Sequence, residues 1–107
     1  MDINALKAML DKGQDNLLLR FGLGQAMLKD NQPQEAIIHL KKTIEFDPNY
    51  SAGWKLLGKA YVAAGQKTEA IDAYQEGIRV AEIKKDIQAV KEMKVFLKRL
   101  LKESTDS

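Results

Sequence analysis

The chain carries one pattern twice. Leu23, Gly24, Ala26, Gln32, Glu35, Ala36, Ile37 and Ile44 recur 34 positions later as Leu57, Gly58, Ala60, Gln66, Glu69, Ala70, Ile71 and Ile78. Self-similarity at such a period marks stacked supersecondary units, because a single unit cannot bury its own apolar face. In the second copy Trp54, Leu57, Gly58 and Tyr61 stand at the spacing W-x2-L-G-x2-Y, with Ala70 and Tyr74 following. Large apolar residues alternating with small ones at helical spacing describe helices pressed together, and nothing in the pattern supplies a nucleophile or a base.

The segments between these landmarks fall into six helices. Ile3, Leu6, Met9 and Leu10 lie on one helical stripe that stops at Lys12-Gly13. Asp15 and Asn16 are capping residues for a second helix, to about Asp30, with Leu19, Leu23, Ala26 and Met27 on its apolar side. Pro33 opens a third helix and the Phe46-Asp47-Pro48 run closes it. Ser51 is the expected cap of a fourth, which ends near Ala64-Gly65, and a fifth spans about Lys67 to Glu82. Gln32 to Glu35 and Gln66 to Glu69 are spaced as capping boxes, with Gln in the cap slot. From Asp86 a last helix presents Ile87, Val90, Met93, Leu97 and Leu100 inward, and Ser104 to Ser107 is expected to be a disordered tail.

Composition closes off several classes of function. A length of 107 residues, 45% apolar and 30% charged, suits one ordered domain. Seventeen basic and fifteen acidic residues leave a net charge of +2, too balanced to draw nucleic acid or membrane by bulk attraction. The absence of cysteine removes disulfides, thiol catalysis and cysteine zinc motifs. No basic, apolar leader and no run long enough to span a bilayer is present, so the cytoplasm is the expected compartment.

The residues quoted from Trp54 to Tyr74, with Leu23-Gly24, Ala36 and Pro48 in the weaker first copy, resemble the tetratricopeptide repeat family. The resemblance implies an all-α fold, a right-handed αα-superhelix of two hairpins flanked by an N-terminal and a C-terminal capping helix. It divides a single domain into an N-terminal helix over 1–16, repeats at 17–50 and 51–84, a capping helix over 85–103 and the tail. In that family the first helix of each pair lines a concave face where peptides commonly bind. Gly24, Gly58, Ala36 and Ala70 would allow close helix approach, Trp54 and Tyr61 would fill the volume between, and Gly77 implies a helix pressed against it. Arg20, Met27 and Leu40 depart from the family's large aromatic residues, and Glu82 replaces its closing proline.

The resemblance also projects groove positions onto Phe21, Gln25 and Lys29 of the first repeat and Lys55, Lys59 and Val62 of the second. Lys55 and Lys59, one helical turn apart, would meet a partner's carboxylates, and Phe21 would be an apolar anchor. The competing reading leaves the lysines solvated and packs Phe21 against the first helix. The family's clamp for the EEVD-type ends of chaperones requires Lys at the Phe21 slot and Asn at those of Gln25 and Leu56, and none is matched.

Other polar clusters point to little chemistry. Lys91, Lys94, Lys98 and Lys102 share a broad face of the last helix without interleaved aromatics, as a solvated amphipathic helix would. His39, four residues after Glu35, lacks the third ligand of a zinc site and is expected at the surface. With no nucleophile elbow or phosphate loop, the chain is expected to be non-catalytic and without cofactor or metal. The expectation is therefore an interaction scaffold that holds a peptide or helix in its groove. The alternatives are a homo-oligomerising structural unit, such as a homodimer, and, more weakly, nucleic-acid contact through the last helix.

Overall fold

A computed structural model of the chain describes the backbone of residues 2–106 and the side chains of residues 2–103. Six helices follow in order: α1 (Ile3–Asp11), α2 (Leu17–Lys29), α3 (Pro33–Phe46), α4 (Ser51–Ala63), α5 (Lys67–Lys84) and α6 (Ile87–Asp106), with no strand among the described residues. Short polar side chains open three of them. The Asp2 carboxylate accepts from the Asn4 amide at 3.2 Å, Asn16 Oδ1 from Leu19 at 2.9 Å, and Asp86 Oδ1 from Ala89 at 3.2 Å.

Four local expectations are corrected. Neither Gln32 nor Gln66 makes a side-chain cap hydrogen bond, so the two capping boxes do not form; in α3 the proline at the first turn removes one orphan donor instead. The cap of α4 is Tyr50, and Ser51 is already the first helical residue, buried, with its hydroxyl donating to Asp86 Oδ2 at 3.4 Å. α5 runs on to Lys84 and ends only where Lys85 turns left-handed at φ 61°. Of the residues expected to form a tail, 104–106 continue the backbone of α6, while Ser107 and the side chains of 104–107 lie outside the described residues.

The hairpins α2/α3 and α4/α5 close around equivalent contacts. A Cβ placed on Gly24 would fall 2.5 Å from Leu40 Cγ, and one on Gly58 would fall 2.7 Å from Tyr74 Cδ1. Each glycine therefore admits a large side chain from the opposing helix, and Leu40 and Tyr74 are nearly or fully buried as a result. Ala36 and Ala70 are fully buried in the same layers.

Gly77 of α5 repeats the device toward the C-terminus. A Cβ there would meet Met93 Sδ of α6 at 2.6 Å and Trp54 Cβ at 2.8 Å. Gly77 is therefore pressed by both α4 and α6, and Met93 of α6 is fully buried. Ile78, Ala81, Ala89, Met93 and Leu100 join α5 to α6 in one apolar cluster, while Leu6, Leu19, Leu23 and Leu57 belong to the cluster that ties α1 through α4.

Candidate functional site

The six projected groove residues separate in space. Gln25 and Lys29 of α2 meet Lys59 of α4 along an open groove of about 630 Å³, whose apolar walls include Leu6, Leu18 and Leu56. Leu18 leaves 73% of its surface exposed there. Val62 joins Lys59 in a smaller cleft between α4 and α6, beside Phe96 and Arg99. Phe21 and Lys55 line neither.

Phe21 is half-buried and meets Tyr50 edge to face, with ring centroids 5.2 Å apart and planes at 86°. Its ring thus has an aromatic partner within the chain, on the turn before α4, and packs against the cluster that includes Leu6.

Lys55 and Lys59, expected to meet a partner's carboxylates or to be solvated, each have a neighbour on α6. Lys55 Nζ donates to Glu92 Oε2 at 3.1 Å, and Lys59 Nζ stands 5.1 Å from the centroid of the Phe96 ring. Residues four apart on α4 thus meet residues four apart on α6, in the same chain direction. Lys55 holds the Glu92 carboxyl below its ordinary range, helped by a hydrogen bond from Gln88 and by the nearby charge of Lys59. The terminal helix supplies both an anion and a π face to lysines otherwise available to a ligand, and the Ser51–Asp86 contact fixes its start beside the start of α4.

His39 is also corrected. It is buried, 7% exposed, and its Nδ1 lies 3.0 Å from Arg20 Nη1. Because a guanidinium only donates, Nδ1 accepts and the ring proton sits on Nε2. Arg20 also grips Asp15 in two hydrogen bonds of 2.8 and 3.0 Å. Burial, then the Arg20 charge, push the His39 pKa below its usual 6.5. The 34-residue register aligns Arg20 with Trp54 and His39 with Ala73, so a polar pair stands where the second copy has a large and a small apolar residue. That alignment was the available signal.

Sequence reasoning missed a second depression entirely. The Cα atoms of α3 and α5 nowhere approach within 8 Å, so α4 is uncovered between them. The resulting cleft, about 830 Å³, is floored by Trp54, Leu57 and Tyr61 with Ile44 at its side. Glu45, Glu69, Asp72 and Glu76 rim it, opposed by Lys41. Trp54 and Tyr61 are therefore only half-buried and do not simply fill the hairpin interior; the indole N–H donates to the Pro48 carbonyl at 2.8 Å, which fixes the ring on this side of α4. Among the described residues no cluster of three metal-binding side chains occurs, and no helix is long and apolar enough to cross a membrane.

Paired helices stacked at a 34-residue period, with a glycine of one helix opposite a large side chain of the next, define a helical repeat of the interaction-scaffold class. The chain belongs to the tetratricopeptide repeat family, whose model matches residues 3–59 and 27–91. It is 51% identical over 100 residues to the TPR repeat-containing protein PA0015 of Pseudomonas aeruginosa, covering 94% of this chain and 95% of that one. The solution structure of protein BPP2914 from Bordetella parapertussis superposes with a TM-score of 0.84 at 42% identity, over 96% of this chain and 90% of that one. A tetratricopeptide repeat domain protein of Salinibacter ruber gives 0.73 at 27% identity, over 80% and 87%. The family is generally a non-catalytic scaffold, and its domains generally bind protein partners.

Proposed function

We propose that this protein holds a short peptide or helical segment in the groove between α1, α2 and α4. The observation that carries the reading is the groove's composition: apolar walls from Leu6, Leu18 and Leu56, with Gln25, Lys29 and Lys59 on its edge. Apolar walls bearing a few polar groups suit a ligand anchored by an aliphatic side chain and oriented by a carboxylate. Lys29 is the freer of the two cations, since Lys59 already lies against Phe96. Lys55 contributes only once Glu92 lets it go, and Phe21 only if it leaves Tyr50.

The test is titration of a fluorescein-labelled peptide library of acidic, leucine-containing sequences, read by anisotropy. Binding that weakens several-fold in the Lys29→Glu/Lys59→Glu variant supports the groove. Equal binding by that variant and the wild type removes it. A second reading, self-association, is favoured by Ile83 and Ile87, 68% and 66% exposed at the α5–α6 corner. Sedimentation showing only monomer at high micromolar concentration removes that one.

A further inference from the structure

The α3–α5 cleft offers the opposite chemistry on the opposite side of α4. Trp54, Leu57 and Tyr61 follow one another at spacings of three and four, while Leu56 and Lys59, which face the groove, lie roughly half a turn away. The floor is apolar and aromatic and the rim is predominantly anionic. Two of the rim carboxylates are already matched, Glu45 with Lys42 at 3.4 Å and Glu76 with Arg79. Glu69 and Asp72, one turn apart on α5, are exposed and have no ion-pair partner among the described residues. Burial, and after it the Glu69 charge, raise the pKa of the neighbouring Tyr61 hydroxyl.

We propose that this cleft is a second docking site, for a short segment that carries an aliphatic or aromatic side chain flanked by lysine or arginine. The apolar side chain settles on Trp54 and Tyr61, where it removes half-exposed aromatic surface from water. The flanking cations reach Glu69 and Asp72, and an adjacent guanidinium gains further from the indole face. An acidic segment is excluded by the same carboxylates, so the two faces select partners of opposite charge. This site stands whether or not the groove reading does, because the two share no residue.

The chain contains a single tryptophan, and it lies on this floor, so its emission reports the cleft and not the groove. The probe is a phage-displayed library of random dodecapeptides, panned on the intact protein, with the enriched sequences synthesised and titrated against it. The expected result is enrichment of lysine or arginine beside an aromatic or aliphatic residue, with a shift of Trp54 emission on binding. Affinity should fall on the order of tenfold in Glu69→Lys/Asp72→Lys, less in Glu69→Gln/Asp72→Asn, and stay unchanged in Lys29→Glu. Both rim residues are exposed, and a circular dichroism melt matching wild type establishes that the variants fold. Failure to enrich any basic sequence, basic peptides whose binding leaves Trp54 emission unmoved, or equal affinity of those peptides for the charge-reversed variant would each overturn the proposal. So would a Trp54 shift that follows protein concentration alone, together with a dimer in sedimentation, since the occupant would then be a second copy.

Discussion

Lys55 of α4 and Glu92 of α6 are joined at 3.1 Å, and one turn further along the same two helices Lys59 lies against Phe96. The terminal helix therefore does more than close the apolar end of the second hairpin. It pairs with Lys55 and lays an aromatic ring beside Lys59, leaving Lys29 as the groove cation with no ion-pair partner among the described residues.

If Glu92 is what occupies Lys55, Glu92→Gln raises the reactivity of the Lys55 amine toward an acylating reagent, quantified by peptide mass spectrometry against Lys29 as internal standard. Thermal stability should fall only slightly, because a half-buried ion pair that still reaches solvent adds little. An unchanged Lys55 labelling ratio would show that the contact is not maintained in solution.

Adding a methyl group at Gly58 or Gly24 sets two effects against each other. Alanine gains up to about 1 kcal/mol of helix propensity over glycine. The new Cβ overlaps the Tyr74 ring or the branch point of Leu40, and such overpacking costs about 1–3 kcal/mol. Both variants should lose stability in urea denaturation, and Gly58→Ala/Tyr74→Leu should recover part of the loss. A more stable Gly58→Ala would mean that the helices separate freely.

Met93 is fully buried between α5 and α6, and truncation to alanine should cost about 2–5 kcal/mol. The loss should be uneven. Amide exchange should accelerate in α6 and the C-terminal half of α5 well before α2 and α3, because Met93 belongs to the cluster that excludes the first hairpin.

His39 makes stability depend on pH in a definite direction. Its folded pKa lies below 6.5 because burial and Arg20 disfavour the imidazolium, with Glu35 and Asp15 opposing and Lys7 reinforcing the effect. The unfolded chain therefore binds more protons as pH falls below 6.5, and stability declines on acidification through the folded pKa. The contribution is complete above 6.5. Asp15, held below its usual 3.8 mainly by the hydrogen bond from Arg20, adds a separate loss at more acidic pH. The unfolding midpoint in urea should drop between neutral and mildly acidic pH, and His39→Gln should flatten that slope; a wild-type midpoint that rises over the same range contradicts the buried neutral ring.

The architecture was legible because its determinants are local and periodic. Pro33, Pro48 and the Asn16 cap mark helix ends whatever lies around them, and the repeat of Leu23-Gly24 at Leu57-Gly58 states that the same packing unit is built twice. Gly77 foretold a close neighbour for the same reason: a glycine inside a helix is destabilising unless something fills the space of its missing side chain.

Periodicity assigns a residue to a face of its own helix, but not to the helix that will lie opposite. Whether Lys55 and Lys59 were free depended on where α6 came to rest, and Gly77 and Met93 decide that from another helix. His39 was misjudged because its burial required Arg20, nineteen residues away, to satisfy Nδ1. The cleft over Trp54 exists because α3 and α5 stand apart, a distance fixed by how two hairpins stack. The sequence by itself determined the helices, their pairing and the small residues that let them touch, all set by near-neighbour chemistry along the chain. Only the tertiary structure decided which charges remain available to a partner, because that depends on side chains brought together from helices remote in sequence.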